Sequence, residues 1–232
     1  VYGAGLALQQ PRLLEQADAV IVLSERHGAA LARSGLPQRP GWVWTLPNFL
    51  PAGALAPAPP SGPPEHLLAA GRLVEEKGFD TAIAAARRAD VPLVIAGEGP
   101  DLDRLRRLAA GARVSFPGWL DRRTLAEARA RAAAVLVPSR CEEACPYAVL
   151  EALAAGIPAL VSDRGGLPEM VPAGSVLPAE DVAAWAQAVG RVWSDGGDRG
   201  QRGREALAIA RERFGEDLFY RRLMEIYAGE PT

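Results

Sequence analysis

From residue 67 onward the sequence repeats one pattern, in which a short continuous apolar run is followed by a segment of helical periodicity. The apolar runs lie at 67–70, 92–96, 113–116, 133–137, 158–162 and 175–177. The helical segments lie at 78–89, 101–110, 121–132, 146–155, 179–194 and 198–213, with a short turn near 167–171. Because these runs are apolar throughout rather than at alternate positions, they are typical of parallel strands covered on both faces. The pattern predicts an α/β fold, a doubly wound parallel sheet of about six strands with helices on both faces.

The residues before this repeat predict a second, smaller unit. Residues 6–17 are weakly helical, 19–23 and 42–46 are short apolar strands, and Ser24 is placed to cap a helix between those strands. A lone strand–helix–strand unit cannot bury much surface, so we expect it to need a partner sheet that the chain does not supply. Residues 51–64, PAGALAPAPPSGPP, predict a stiff Pro-rich linker without a core-facing pattern.

Composition excludes several classes of protein. The net charge of −2 gives no electrostatic reason to expect nucleic acid or an anionic membrane as a partner. The two cysteines, Cys141 and Cys145, imply no disulfide framework, and the absence of a nearby histidine argues against a zinc site. We expect two reduced thiols in a reducing compartment. No apolar run approaches the ~20 residues that a membrane-spanning helix needs.

Polar residues follow the first strand of the repeat, where a parallel sheet binds its ligands. Gly71 permits a tight turn after the strand, and Arg72 and Lys77 flank the start of the next helix. A helix N-terminus favours phosphate, and both cation types bind phosphate. We interpret Arg72 and Lys77 as phosphate ligands, the alternative being two ordinary surface cations.

Two further loops carry glycines. Gly97-x-Gly99 resembles a dinucleotide-binding fingerprint, but Leu102 occupies the position of the third glycine. A tight turn before a helix start therefore explains the pair. In the following loop the backbone near Gly118 can face a base, whereas we expect Trp119 to be packed inside the protein.

The stretch PSRCEEACPYAVLE, which ends at Glu151, closes a predicted strand and starts a helix near Pro146. Glu143 stands just before that helix and suits a ligand hydroxyl, the alternative being an anion favoured by the helix dipole by about 0.3–1 kcal/mol. Glu151 lies in mid-helix among apolar residues, and a buried carboxylate is costly unless it is hydrogen-bonded. We expect Glu151 to be buried with a polar partner, which is either protein or ligand.

The last part of the chain adds two expectations. Gly165-Gly166 permits a turn at close quarters, and Glu169 is interpreted as a capping carboxylate in the first turn of a short helix. Residues 216–228 predict an amphipathic helix whose apolar face needs a surface to bury against.

Taken together, these stretches resemble the retaining nucleotide-sugar glycosyltransferases of the GT-B fold, the family 4 group (glycosyl transferases group 1). The resemblance covers most of the chain, and its most specific motif is Glu-x7-Glu from Glu143 to Glu151. The N-terminal part is similar to the close of that family's acceptor domain. The stretches that carry the resemblance are ADAVIVLSE, VWTLPNF, AAGRLVEEKGFDTAIAA, VIAGEGPDLDRL, VSFPGWL, VLVPSRCEEACPYAVLEALAAGIPALVS and GGLPEMV.

The resemblance implies a role for each matching residue. Arg72 and Lys77 would bind the donor diphosphate and stabilise the leaving nucleotide. Glu143 would hold hydroxyls of the transferred sugar, and Glu151 would bind the ribose of the nucleotide. These implied catalytic positions are Arg72, Lys77 and Glu143. The further donor-binding positions are Gly71, Gly118, Ala144, Cys145, Tyr147 and Glu151.

The chain departs from the family at one point. Where the family often has Phe-Gly-Leu, this sequence has Cys145-Pro146-Tyr147. Because Pro146 has no N–H, one backbone donor to the phosphate or sugar is missing, and the contact must shift to its neighbours.

The resemblance also implies a domain division. Residues 1–50 would be the C-terminal remnant of an acceptor-binding domain, 51–64 the linker and 65–215 the nucleotide-sugar donor-binding domain. Residues 216–232 would form a helix that packs back toward the acceptor domain. On this reading the chain is an N-truncated fragment, inactive by itself.

The implied activity is transfer of a sugar from a nucleoside-diphosphate sugar to an acceptor hydroxyl with retention of anomeric configuration. The family needs no metal, and the sequence shows no carboxylate cluster built for one, so we expect neither metal nor cofactor. The partner is a nucleotide sugar, the acceptor is undetermined, and no nucleic acid is expected. We expect a cytoplasmic protein without a transmembrane segment, with room for peripheral membrane contact through the missing domain.

Two alternatives stand beside this hypothesis. One is a nucleotide-binding or nucleotide-sugar-binding module without transfer activity. The other is a dehydrogenase-type dinucleotide domain, which is disfavoured by Leu102 and by the lack of an acidic residue at the end of the second strand of the repeat.

Overall fold

The computed structural model describes residues 16–33 and 39–229. Its first unit is a two-stranded parallel sheet, in which β1 (Val20–Val22) pairs with β2 (Val43–Thr45) and helix α1 (Glu25–Arg33) connects them. Ser24 caps α1 as predicted, because its Oγ accepts the His27 N–H at 3.2 Å. The helix predicted at 6–17 lies largely outside the described residues.

The second unit is the predicted six-stranded parallel sheet, and it confirms the α/β fold class. Its strand order is β5-β4-β3-β6-β7-β8. The order reverses between β3 and β6, which makes the crevice between them the topological switch point where open α/β sheets bind ligands. The strands are β3 (His66–Ala70), β4 (Leu93–Ala96), β5 (Val114–Gly118), β6 (Ala132–Val137), β7 (Ala159–Ser162) and β8 (Val176–Leu177).

Helices follow the strands at the predicted places. Two short 3₁₀ turns interrupt the series, one before α2 and one before β8, at Glu75–Lys77 and Ala173–Ser175. The α-helices after the first are α2 (Phe79–Ala89), α3 (Leu102–Leu108), α4 (Arg122–Ala130), α5 (Tyr147–Ala154), α6 (Leu167–Met170), α7 (Val182–Ser194), α8 (Gly196–Arg213) and α9 (Glu216–Ala228). None of those within the described ranges has the length and apolar character to cross a membrane.

A separate hydrophobic core covers each face of the large sheet. Strand β6 is buried at every position, and alternate side chains of a strand point to opposite faces. Val135 and Val137 pack into the core formed with α5 and α8, whereas Ala134 and Leu136 pack into the core formed with α2 and α7. This two-sided burial is the reason that the strand is apolar throughout.

The segment after β2 joins the two units and packs closely against the second. The Leu50 N–H donates to the Phe214 carbonyl at 2.7 Å, and the Phe49 ring stacks on Phe219 of α9 at 4.4 Å between centroids. Ala54 and Leu55 pack against the core on the α5 side. The predicted absence of a core-facing pattern in the Pro-rich linker is therefore wrong for its first residues.

Candidate functional site

The candidate site lies at the carboxyl edge of the large sheet, at the switch point between β3 and β6. The loop after β3 carries Lys77, and the loop after β6 carries Glu143. These two loops also pack tightly on each other. Gly78 has φ +68°, and a Cβ built there would lie 2.0 Å from the Pro138 carbonyl oxygen. Only glycine allows that approach, so the sequence brings the two loops together at this position.

Lys77 and Glu143 form a direct ion pair at the switch point, 2.5 Å between Nζ and Oε1. The Ser139 hydroxyl donates to the same carboxylate oxygen at 2.7 Å, and the Ser162 hydroxyl donates to the Ser139 carbonyl at 2.6 Å. Both contacts use Oε1, and no described residue is found bonded to the other oxygen, Oε2. The arrangement fixes the carboxylate and leaves one acceptor oxygen for a ligand hydroxyl.

Arg140 clamps the loop that precedes Lys77. Its guanidinium donates to the Glu75 carbonyl at 3.0 Å and to Asp80 Oδ2 at 3.0 Å, and its backbone N–H donates to the Glu76 carbonyl at 2.8 Å. Burial by itself would raise the pKa of Asp80, but the Arg140 hydrogen bond and the Arg140 and Arg104 charges lower it. The sequence does not predict the roles of Arg140, Asp80 and Ser139. The hydrogen bond between Arg140 and Asp80 joins positions 60 residues apart, which leaves no local pattern.

Arg72 lies at a neighbouring cavity of about 390 Å³, between the ends of β3, β4 and β5. Its side chain is 69% exposed and contacts Glu76 at 3.4 Å. Gly71 lines the same cavity, and Gly118 ends β5 beside it with φ +80°. Trp119 also lines this cavity and is 70% exposed. The expectation that Trp119 packs inside the protein is therefore wrong. Trp119 follows β5, the edge strand of the sheet, and the described residues place no further strand on the outer side of β5.

Close backbone contacts explain why the loop after β4 carries two glycines. This agrees with the interpretation of Gly97-x-Gly99 as a tight turn. A Cβ at Gly97 would lie 1.9 Å from the Gly71 carbonyl oxygen, and one at Gly99 would lie 2.2 Å from that of Leu73. The Gly97 N–H donates to the Gly118 carbonyl at 2.8 Å. These residues join the loops at the ends of β3, β4 and β5.

Glu151 faces a larger cavity of about 790 Å³ between α4, α5 and the segment after β2. Its carboxylate forms an ion pair with Arg129 of α4, so the predicted polar partner of Glu151 exists and is protein. The expectation that Glu151 is buried is wrong, since its side chain is 37% exposed. Tyr147, at the start of α5, is exposed and lines the same cavity. We call it the α4–α5 cavity.

The loop between Glu143 and α5 is held from two sides. The Asn48 side-chain amide donates to the Cys145 carbonyl at 2.8 Å, and a Cβ at Gly166 would lie 2.1 Å from the Ala144 carbonyl oxygen. Pro146 precedes α5 and closes this loop. Cys145 is a free, buried thiol whose pKa is raised to about 11 by burial. The predicted donor-binding residues Ala144 and Cys145 thus stand in a constrained backbone.

Glu169 is a capping carboxylate, but it caps a different helix from the one expected. Its two oxygens accept the N–H groups of Glu25 and Arg26, each at 2.8 Å. The residues that it caps are the first turn of α1, in the small unit, rather than the turn that Glu169 itself begins. A contact between such distant parts of the chain leaves no signal in local sequence.

Lys77 is the only lysine in the sequence, which uses arginine at every other cationic position. An ammonium is a compact point charge on a flexible stem, whereas a guanidinium is a planar fork. The described residues contain no group of three His, Cys, Asp or Glu side chains arranged to hold a metal ion. The site therefore offers a single ammonium, a fixed carboxylate and two loops that meet closely at Gly78.

Comparison with known proteins points to one family. A family model described as Glycosyl transferases group 1 matches residues 64–195. An exopolysaccharide phosphotransferase of Streptomyces coelicolor is 33% identical over 204 residues, which are 83% of this chain and 21% of that protein. A glycogen synthase of Mycobacterium tuberculosis is 41% identical over 163 residues, 64% of this chain and 38% of that protein. The chain thus spans well under half the length of these relatives.

The fold is shared with solved structures. HepE of Anabaena, determined in complex with UDP-glucose, matches with a TM-score of 0.78 at 20% sequence identity. The match covers 91% of this chain and 64% of that one.

Proposed function

Because this chain belongs to the glycosyl transferases group 1 family, we propose that it carries the donor-binding part of a glycosyltransferase. The enzyme moves a sugar from a nucleoside-diphosphate sugar to an acceptor hydroxyl. The observation that carries the proposal is the Lys77–Glu143 pair at the switch point, where a cation for phosphate stands beside an acceptor for sugar hydroxyls. We also propose that the enzyme is a family 4 member, that it retains anomeric configuration and that it needs no metal.

The proposal divides the chain as the sequence suggests. Residues 65–215 form the donor-binding domain, and residues 1–50 belong to the acceptor-binding domain. Residues 51–64 connect the two, and residues 216–232 return toward the acceptor side. The stacking of Phe219 on Phe49 supports this return, because it joins α9 to the segment that follows β2.

The cations act on the leaving group. When the bond between the anomeric carbon and the diphosphate oxygen breaks, its electron pair stays on that oxygen and the sugar becomes positive. Lys77 and Arg72 stabilise the negative charge as it develops, which lowers the barrier because they are already in place. Lys77 needs to release Glu143 only in part, since an ammonium has three donors.

Glu143 positions the transferred sugar. Its Oε1 is held by Lys77 and Ser139, and its other oxygen accepts a sugar hydroxyl. The acceptor oxygen then bonds to the anomeric carbon on the face that the diphosphate leaves, and its proton passes to the departing phosphate oxygen. This path keeps the anomeric configuration.

The nucleoside end of the donor occupies the neighbouring cavities. Glu151 binds the ribose from the α4–α5 cavity, with Tyr147 beside it. Gly71, which lines the cavity beside Arg72, and Gly118 at the end of β5 present backbone groups near the base. Ala144 and Cys145 present theirs to the phosphate or sugar. The UDP-glucose complex of HepE supports a nucleotide sugar as the donor class, since the two proteins share a fold.

Calorimetric titration with UDP, GDP, ADP and NAD tests the proposal. We expect one of the nucleoside diphosphates to bind, and Lys77→Met to weaken that binding by about 10- to 150-fold, because a charge-assisted hydrogen bond is worth roughly 1.5–3 kcal/mol. The matched control is Arg88→Met, an exposed cation on α2, which should leave the affinity unchanged. Binding of NAD without any nucleoside diphosphate would contradict the proposal.

The single lysine allows a second, direct readout. An amine-acylating reagent can modify only Lys77 and the N-terminal amine of this chain. A bound nucleoside diphosphate should slow acylation at Lys77 and leave the N-terminal amine unaffected, as measured by peptide mass spectrometry. Equal rates at Lys77 with and without saturating ligand would show that the phosphate does not reach this residue.

A further inference from the structure

Arg129 stands apart from the other arginines. It is the one charged Asp, Glu, Lys or Arg residue that is buried among those the structure describes, and it lies in the last turn of α4 on the wall of the α4–α5 cavity. Burying a guanidinium is costly unless a partner compensates. The cost therefore calls for an explanation in terms of what Arg129 contacts.

Arg129 forms an ion pair with Glu151, and the two side chains are unequally exposed. The Arg129 side chain is 10% exposed and the Glu151 side chain 37%. Burial lowers the pKa of Arg129, and the charge of Glu151 opposes that effect. Both residues line the α4–α5 cavity, and the carboxylate is the more exposed group of the pair.

One oxygen of the carboxylate is engaged in this pair. Arg129 Nη2 donates to Glu151 Oε2, and no described residue is found bonded to Oε1. An unpaired glutamate on a helix surface samples several rotamers, and ordering it on binding costs free energy. A buried arginine that holds one oxygen removes that cost before a ligand arrives.

We propose that Arg129 is a positioning residue for nucleoside recognition: it fixes Glu151 so that Oε1 accepts a ribose hydroxyl of the donor nucleotide. This inference rests on the proposed function of the site. The planar guanidinium suits the task better than a lysine, because it fixes the orientation of the carboxylate as well as its charge.

The test compares ribose with a sugar that lacks its hydroxyls. Affinity for the nucleoside diphosphate that binds, among UDP, GDP and ADP, is measured by calorimetry against its 2′,3′-dideoxy form, for the wild-type chain and for Arg129→Met. We expect the wild type to prefer the ribose form by about 10- to 150-fold, as a hydrogen bond to a charged group predicts. In Arg129→Met, the ratio of the affinities for the ribose and dideoxy forms should fall close to one. The affinity for the dideoxy form itself should change by less than about twofold.

Matched variants separate positioning from folding. Arg122→Met removes another arginine that lines the same cavity from the same helix, and it should keep the wild-type preference. Should Arg129→Met fail to fold, Arg129→Lys takes its place, and we expect an intermediate preference because charge remains without the planar fork.

Three results would overturn the inference. The first is a wild-type ribose preference in Arg129→Met, or in Arg129→Lys where that variant replaces it. The second is an equal loss of affinity for ribose and dideoxy forms, which would assign Arg129 to the phosphate or to the fold alone. The third is a wild type that binds a nucleoside diphosphate without any ribose preference. A wild type that binds none of UDP, GDP and ADP would instead overturn the proposed function, and the inference with it.

Discussion

Gly78 is the residue at which the two loops of the candidate site meet. Its φ of +68° is unfavourable for residues with a Cβ, and that atom would overlap the Pro138 carbonyl oxygen at 2.0 Å. We predict that Gly78→Ala lowers the free energy of unfolding by about 3 kcal/mol, because strain and overlap act together. Urea denaturation followed by circular dichroism measures the change.

Gly190 provides the matched control for this prediction. It lies inside helix α7, where a Cβ would meet nothing within 4 Å. Gly190→Ala should raise the free energy of unfolding by about 0.5–1 kcal/mol, since alanine loses less backbone entropy in a helix. Equal effects of the two substitutions would show that the contact with Pro138 does not constrain the loops.

Single residues of the site could be predicted where their signal is local. Glu143 precedes a helix, and Lys77 ends a loop after a strand, so the expected placement at one edge of the sheet followed from position alone. Arg129 and Arg140 could not be found in this way, because their partners lie far along the chain. The exposure of Trp119 could not be predicted, because it depends on which strand lies at the edge of the sheet.

At the scale of elements, helix α1 depends on a partner outside its own unit. Its first N–H groups are accepted by Glu169, which adds a charge-assisted cap to the one from Ser24. We predict that Glu169→Ala speeds hydrogen exchange at the amides of α1 about tenfold, because such a cap is worth about 1–2 kcal/mol. Hydrogen exchange read by mass spectrometry measures this.

Glu212 serves as the control for the cap. It is exposed and lines the same small cavity as Glu169, at about 150 Å³. Glu212→Ala should leave exchange in α1 unchanged. If it accelerated exchange as much as Glu169→Ala, the general charge around the cavity, rather than the cap, would stabilise the helix.

The presence and type of the strands and helices could be predicted from the sequence, because each of them has a local pattern. A strand buried on both faces must be apolar throughout, as β6 is. The order of the strands has no such signal. Strand β6 pairs with β3 rather than with the preceding β5, and this choice depends on packing across the entire sheet. The packing of residues 54 and 55 against a core could not be predicted either, because it also depends on packing between distant parts of the chain.

For the molecule as a whole, stability should depend on pH through His66. This residue is buried at the start of β3, and its Nε2–H donates to the Ala128 carbonyl at 2.9 Å. Burial is the largest influence on the pKa of His66, and it lowers that pKa below 6.5. As pH falls below about 6.5, the unfolded chain binds a proton more readily than the folded one, so the free energy of unfolding decreases.

We predict that His66→Gln flattens this dependence, because an amide can still donate to Ala128 but does not titrate. Urea midpoints at pH 7.5 and pH 5.5 measure the slope. A slope unchanged in His66→Gln would assign the pH dependence to other groups.

The small β1–β2 unit contacts the large sheet partly through main-chain atoms. Glu169 accepts backbone N–H groups of α1, and Leu50 and Phe214 join backbone to backbone. Side chains add to these contacts, since the Asn48 amide donates to the Cys145 carbonyl and the Arg26 guanidinium donates to the Asp163 carbonyl at 2.9 Å. A main-chain group is present whatever the side chain, so the contact between the Glu25 N–H and Glu169 does not depend on the side chain at position 25. A library that randomises Glu25 should therefore yield many docked variants, whereas randomising Glu169 should yield few. This arrangement would let the sequence of the small unit change at such positions while its contacts with the large sheet persist.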